Sequence, residues 1–325
     1  MKAIIHGDTG LRLGEMPLPK AGEGEVVVAI KTAGLNRRDL YIPDRRGHKG
    51  EDLILGSDGA GTVEAIGEGV TQWSVGDEVV INPSLNWYDE SDASPEGFRP
   101  LGVPDNGTFA EKIVLSAEQI EPRPTHLSWE ESACIGLAGL TGYRALVTRG
   151  QVKKGDTVFI PGAGSGVVTF IIQFAKAAGA RVIVTSRKED KLKHALDLGA
   201  DRAIDTNADW KQELEDETID LVIESVGEAT FNRSLSILKP GGRLVVFGAT
   251  TDDVVDIDLR ALFNNQQEIV GSMMGSREEL REMLAFSEKH NIRPVIDRTL
   301  PLTDALDGFK MLEDSTQFGK IVYTI

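Results

Sequence analysis

Val158-Phe159-Ile160-Pro161-Gly162-Ala163-Gly164-Ser165-Gly166-Val167-Val168-Thr169 is the stretch on which the reading of this chain turns. Its apolar start is too short for a helix, glycine then recurs at every second position, and a helical pattern takes over at 170–178. That order is strand, tight turn, helix. Backbone amides at such a helix start converge on an anion, and the missing Cβ atoms let a pyrophosphate approach. Gly162, Gly164, Ser165, Gly166 and Val167 are therefore the expected phosphate cradle. Because the glycines alternate, no register completes Gly-x-Gly-x-x-Gly, and a tight turn with no ligand is the competing reading.

The surroundings separate the two. Short apolar runs at 157–161, 181–185, 219–223, 243–247 and 268–271 alternate with helical patterns at 170–178, 189–198 and 230–238, and Pro240-Gly241-Gly242 stops the last of these. Strand, helix, strand at this period means an α/β domain with a doubly wound parallel sheet. The cradle sits at its first turn. The first third reads differently: β-type runs at 26–30, 62–66 and 78–81 are punctuated by Gly56, Gly59, Gly61, Gly67, Gly69 and Gly76, the pattern of a β-rich, barrel-like domain. Residues 82–106 lose periodicity and carry four prolines, which predicts an irregular lobe. Beyond Pro294 the short runs return, so the C-terminus is expected to rejoin the β-rich domain.

Charge narrows the ligand. The chain has 325 residues with 35 Lys+Arg against 51 Asp+Glu, a net charge of −16, which repels nucleic acid and anionic lipid over most of the surface. Arg37, Arg38, Arg45, Arg46, His48 and Lys49 form the one basic run, either a solvated loop or an attractor for an anionic ligand. In a sheet of this kind a ribose 2′-hydroxyl needs an acid at the end of the second strand, and a 2′-phosphate needs donors and cations. Ser186 and Arg187 stand there, with Lys188 next and Lys191 a turn on, so NADP(H) is expected. A solvated helix start is the alternative for these residues. Cys134 is the single cysteine, which excludes an intrachain disulfide and any multi-cysteine zinc site and points to a reducing, cytoplasmic setting. The N-terminal apolar run is too short for a signal peptide, and no stretch reads as a membrane span.

Residues 56–67, Gly-Ser-Asp-Gly-Ala-Gly-Thr-Val-Glu-Ala-Ile-Gly, resemble the glycine-rich signature of the medium-chain dehydrogenase/reductase superfamily. Gly107-Thr108-Phe109-Ala110-Glu111, Gly139-Leu140-Thr141-Gly142-Tyr143 and Gly319-Lys320-Ile321-Val322 are similar to its other landmarks, in order and at fitting distances. The resemblance implies a GroES-like catalytic domain from both chain ends, 1–137 and 274–325, a Rossmann domain over 138–273, and an active site in the cleft between them. It also locates the catalytic zinc ligands of the zinc-dependent members at Asn36, at Ser57 and near Leu137, none a usual zinc ligand. The chain thus looks like the zinc-free branch, which includes quinone oxidoreductases and alkenal or enoyl reductases. Asn36-Arg37-Arg38-Asp39-Leu40-Tyr41 is similar to the Asn-x-x-Asp-x-Tyr stretch of quinone oxidoreductases, which implies that Asn36 and Tyr41 orient the substrate. Tyr41 then either donates to a carbonyl oxygen as hydride arrives or simply packs. The same resemblance puts Thr141, Phe247, Gly248 and Ala249 beside the cofactor and Ser272, Met273 and Met274 at its carboxamide, with core packing the alternative for the two methionines. Val168 stands where many relatives keep a glycine.

These readings converge on a metal-independent reductase that passes hydride from NADPH to a quinone, enal or enone. Trp87, Tyr88 and Phe98 supply either a flat wall for such a substrate or a surface contact. The alternatives are a nucleotide-binding sensor or interaction protein with little turnover, and an alcohol dehydrogenase with substituted zinc ligands. A homodimer through residues 268–273 is expected, with no nucleic-acid or membrane partner.

Overall fold

The computed structural model describes residues 1–46 and 51–325. His48 and Lys49 of the basic run, and the side chains of Arg45 and Arg46, lie outside the described residues. The chain divides into two compact units, Met1–Leu140 with Gly275–Ile325, and Thr141–Met274.

In the first unit β1 (Lys2–Gly7), β2 (Gly10–Glu15), β3 (Glu25–Leu35), β4 (Leu53–Ile54), β5 (Asp58–Ile66), β6 (Glu78–Ile81), β7 (Ser84–Leu85), β8 (Arg99–Pro100), β9 (Lys112–Ser116) and β10 (Ile120–Pro122) follow one another, with α1 (Arg37–Arg46) after β3 and a short α2 (Trp129–Ser132) near the end. Strand β3 is buried along most of its length because it is central: it pairs antiparallel with β5 and with β9. Glycines and small residues in β5 let that sheet curl over one core, in which Ile4, Val28, Leu55, Ile81, Phe109 and Ile120 are all buried. The lobe at 82–106 is less irregular than its composition suggests, since β7 and β8 pair in it. Trp87 is 2% exposed, meets Phe98 edge-on at 5.3 Å and donates its indole N–H to Ser91 Oγ at 3.0 Å. Trp87 is thus the lobe's own core rather than a wall presented to a ligand, while Tyr88 is exposed.

The second unit opens inside α3 (Leu140–Tyr143), which wide π-helical turns flank at Ile135–Gly139 and Arg144–Arg149. Strands β11 (Thr157–Ile160), β12 (Arg181–Ser186), β13 (Arg202–Asp205), β14 (Ile219–Glu224), β15 (Leu238–Val246) and β16 (Glu268–Gly271) alternate with α4 (Gly166–Ala177), α5 (Glu189–Asp197), α6 (Trp210–Glu213), α7 (Glu228–Ile237) and α8 (Leu259–Asn264). They form one parallel sheet in the order β13-β12-β11-β14-β15-β16, which reverses direction beside β11, the doubly wound topology. The sheet has six strands where five were expected. Strand β13 is half exposed at the sheet's edge, so its sequence carries little of the apolar run that marks a buried parallel strand. Pro240-Gly241-Gly242 lies within β15 rather than between a helix and a strand, because α7 already ends at Ile237.

The chain then returns to the first unit through α9 (Arg277–His290), β17 (Ile296–Pro301), α10 (Ala305–Glu313) and β18 (Lys320–Thr324). Ser276 and Glu279 close a capping box at the start of α9, each bonding the other's backbone N–H. Strand β18 pairs antiparallel with β3 and parallel with β17, giving a seven-stranded sheet. Tyr323 then packs edge-on against Phe109 at 5.1 Å. No helix among the described residues is long and apolar enough to cross a membrane.

Candidate functional site

In the parallel-sheet unit the predicted cofactor residues gather at the carboxyl ends of the strands. Strand β11 ends in Pro161, and Gly162 and Gly164 adopt φ of +82° and +106°. The Gly162 and Ala163 amides are tied to the Thr185 carbonyl at 3.1 and 2.7 Å, which pins the turn to β12. A Cβ at Gly162 would sit 3.2 Å from Val226 Cγ2, so positive φ and close approach both demand glycine. Ser165 caps α4 by accepting from the Val168 amide at 3.1 Å. Val168 itself is buried, so the missing glycine does not prevent the helix from starting at Gly166.

Strand β12 ends at Ser186, whose Oγ accepts from the Lys188 amide at 3.1 Å. Arg187 is exposed and Lys191 is 7% exposed on the inner side of α5. No acid occupies the strand end. Across the same edge of the sheet, Phe247, Gly248 and Ala249 follow β15, the Phe247 amide bonding the Glu224 carbonyl at 3.0 Å, and Ser272 follows β16. Ser272 Oγ and Thr141 Oγ1 are buried without a partner, two polar atoms that await a ligand's donors or acceptors. Met273 is 48% exposed, whereas Met274 is buried with φ +41°. Basic strand end, glycine turn, capped helix and orphaned hydroxyls together fit a dinucleotide carrying an additional phosphate.

Glu224, which the sequence reading passed over, underlies this edge. Fully buried at the end of β14, its carboxylate accepts from the amides of Val226 (2.7 Å) and Gly227 and from the hydroxyls of Thr230 and Ser234 (2.8 Å). The Val226 carbonyl in turn accepts from the Thr250 and Thr251 amides. Burial pushes the Glu224 carboxyl above the usual carboxylate range, against these hydrogen bonds.

In the β-rich unit Asn36 follows β3 and precedes α1. Asn36 and Asp39 bond reciprocally: the Asn36 backbone amide donates to Asp39 Oδ2 at 2.9 Å, and the Asp39 backbone amide to the Asn36 carbonyl at 2.9 Å. The Asn36 side chain, expected to face a substrate, turns inward instead. Its Nδ2 donates to Asp58 Oδ2 (2.9 Å) and to the Gly34 carbonyl, and its Oδ1 accepts from Lys320 Nζ at 2.5 Å. Asp58 Oδ1 accepts from the Leu137 amide at 2.5 Å. Burial pushes the Asp58 carboxyl up, with the Lys320 charge opposing it. Asp39 is buried too, its Oδ1 has no hydrogen-bond partner, and burial pushes its carboxyl up to about 6. Tyr41, one turn along α1, is partly exposed and accepts from Arg37 Nε at 3.3 Å.

The three positions at which the zinc-dependent pattern would put ligands offer an amide, a hydroxyl and an apolar side chain, all committed to internal contacts. Ser57 Oγ donates to the Leu101 carbonyl at 2.7 Å and accepts from the Arg38 guanidinium, and Leu137 contributes only its backbone amide to Asp58. A guanidinium and an ammonium beside them oppose a divalent cation. Among the described residues, no group of three or more His, Cys, Asp or Glu is placed to hold a metal. The donor set does not fit zinc. Cys134 is buried, and burial pushes its thiol up to about 12.

Asp58, Lys320 and Glu224 went unassigned although a signal was present: each is a charged residue inside an otherwise apolar or glycine-rich strand pattern. Such a residue is expensive unless paired.

Residues 22–125 match the family described as alcohol dehydrogenase GroES-like domain, and residues 166–289 match the zinc-binding dehydrogenase family. The chain is 34% identical to the zinc-type alcohol dehydrogenase-like protein YogA of Leptosphaeria maculans, over 97% of this chain and 94% of that protein. It is 30% identical to the acryloyl-coenzyme A reductase of Sulfurisphaera tokodaii, over 99% of each. Among solved structures it resembles an NAD-dependent alcohol dehydrogenase (TM-score 0.92, 34% identity, all of both chains). It also resembles the 2-octenoyl-CoA carboxylase reductase CinF in complex with NADP and 2-octenoyl-CoA (TM-score 0.88, 27% identity, 99% of this chain and 87% of that one). With the two domain families matched in order and relatives aligned along nearly its whole length, the chain belongs to the medium-chain dehydrogenase/reductase superfamily of oxidoreductases.

Proposed function

We propose that this oxidoreductase uses NADPH, without a metal, to reduce α,β-unsaturated carbonyl compounds, the class that spans enals, enones and enoyl thioesters, with quinones as a further acceptor. One observation carries the reading: the side chains at positions 36 and 57 are bonded to the internal cations of Lys320 and Arg38, and the Asn36 side chain and the Leu137 amide share the Asp58 carboxylate, an arrangement suited to a substrate that accepts hydride without a Lewis acid. The relatives named for acryloyl-CoA and 2-octenoyl-CoA support the same class.

When bound, the reduced nicotinamide supplies the hydride. The residues do the positioning. Amides of Gly164, Ser165, Gly166 and Val167 receive the pyrophosphate at the start of α4, and Gly162, its own amide tied to the Thr185 carbonyl, shapes the turn that presents them. Ser186, Arg187 and Lys191 receive the 2′-phosphate, which selects NADPH over NADH. Thr141, Phe247, Gly248, Ala249, Ser272, Met273 and Met274 hold the nicotinamide end. Tyr41, with the Arg37 guanidinium beside its oxygen, donates a hydrogen bond to the substrate carbonyl, where negative charge grows as the electron-poor carbon takes hydride. Asn36 acts indirectly, by fixing the turn from which α1 starts.

The partner is a second copy of the chain. Strand β16 ends the parallel sheet with an open edge, and Ile269, Leu259 and Phe263 are exposed on it and on α8, Phe263 by 60%. The compartment is the cytoplasm, in keeping with a lone buried thiol.

The test is NADPH oxidation at 340 nm by EDTA-treated protein with enals, enones, enoyl thioesters, quinones and simple aldehydes, and NADH in parallel. The expected result is turnover of conjugated acceptors with NADPH preferred. Tight NADPH binding with no turnover would leave a nucleotide-binding module, and stoichiometric zinc with alcohol oxidation would overturn the metal-free reading.

A further inference from the structure

We propose that Lys320 is a positioning residue for this site: its buried ammonium, held by the Leu35 carbonyl, Asn36 Oδ1 and the Asp58 carboxylate, fixes the turn from which the helix bearing Tyr41 departs. The inference rests on the reading that Tyr41 meets the acceptor.

Lys320 is 3% exposed, and its three donors meet three acceptors, at 2.8 Å (Leu35), 2.5 Å (Asn36) and 3.4 Å (Asp58). An ammonium is among the costliest groups to take out of water, and an inward position on a central strand ordinarily carries an apolar side chain. Packing alone therefore does not account for it. Its geometry does: the amide of Asn36 is presented oxygen-first to the ammonium and nitrogen-first to Asp58, so the charge pair dictates which way the amide faces. Asn36 then holds Asp39 through the reciprocal bonds at the start of α1, its amide on the Asp39 carboxylate and its carbonyl on the Asp39 amide, and Tyr41 lies two residues further on the same helix. Asp58 extends the network to Leu137. One cation on the last strand thus ties together the end of β3, the start of β5 and the turn at 135–139, segments that are hundreds of residues away in sequence at the widest. A small misplacement of a positioned group far from the reacting atoms is enough to slow a reaction strongly.

The experiment compares wild type, Lys320→Met and Lys320→Gln, which keeps N–H donors without the charge. The readouts are kcat and KM for the best conjugated acceptor, Kd for NADPH by fluorescence, thermal midpoint, and the Asn36 side-chain amide resonances in ¹⁵N spectra. The expected result is a kcat at least 10-fold lower in Lys320→Met and about 5-fold lower in Lys320→Gln, with NADPH Kd within 2-fold of wild type and the Asn36 amide resonances displaced. A folded Lys320→Met with kcat within 2-fold of wild type overturns the proposal. If Lys320→Met does not fold, an unchanged kcat in Lys320→Gln does so. If the wild type turns over no acceptor, the reductase reading fails by itself, and Asn36 resonances unmoved by either substitution still overturn the positioning role.

Discussion

Asp58 at the start of β5 and Glu224 at the end of β14 are both completely buried carboxylates, yet the two units satisfy them in opposite ways. Asp58 faces an ammonium, a side-chain amide and one backbone amide. Glu224 has only neutral donors, two backbone amides and two hydroxyls, all supplied within ten residues of itself. The difference is one of reach. Neutral donors from the adjacent turn and the first turns of α7 shape a local loop, here the Val226 loop against which Gly162 packs. A charge pair is long-ranged and can join segments that share no turn, at the risk that either partner left alone is a buried uncompensated ion.

The largest effect is expected from breaking the pair. Lys320→Ala and Asp58→Ala should each lower stability by about 3–5 kcal/mol, because each strands the other charge, while the double substitution should cost less than the sum of the two. Urea unfolding of the four proteins gives the cycle, and strictly additive losses would show that the pair is not coupled.

Asp39 sharpens the comparison, since it has one amide and one unsatisfied oxygen. Burial pushes its carboxyl up to about 6 from 3.8, so the folded protein retains a proton that the unfolded chain has released. The stability from this group is therefore fully present below about pH 4 and is lost as pH rises through 6, to about 3 kcal/mol at most. Asp39→Asn should remove that component, so that the difference in unfolding free energy between variant and wild type grows from pH 4 to 7. A difference independent of pH would refute the assignment.

A weaker effect is expected at Glu224, where no second ion is stranded. Glu224→Gln replaces one acceptor with a donor facing Ser234 and Thr230, for a loss of about 1–3 kcal/mol, and should weaken NADPH binding because Val226 supports both Gly162 and Thr250. Calorimetric titration reads the second part. Smallest is Ser165→Ala, which removes the cap of α4 for about 1 kcal/mol, read as a lowered thermal midpoint.

The fold class was legible where local pattern and tertiary environment agree. The apolar runs at 157–161, 181–185 and 219–223 stand out because a parallel strand covered on both faces has no polar side to hide. The half-exposed edge strand β13 and the short pair in the lobe escaped for the converse reason. The glycine turn, its Ser165 cap and the basic end of β12 follow from residues adjacent in sequence, and the structure assembles them at one sheet edge. Asn36 is the instructive failure. Its position was evident, but the direction of its amide depends on Asp58 and on Lys320, which lie 22 and 284 residues away.

By itself the sequence determined what short-range chemistry can specify: a glycine turn between a strand and a helix, the charge at the end of the second strand, the absence of zinc-type side chains at positions 36, 57 and 137, and a chain end that returns to the first domain. Only the tertiary structure decided which charged residues are buried and against whom, that Trp87 serves its own lobe, and that Lys320 and Asp58 form one network with Asn36. The physical reason is that the cost of a buried charge is set by partners within a few ångströms, and in a sheet those partners come from strands whose separation along the chain is unrelated to their separation in space.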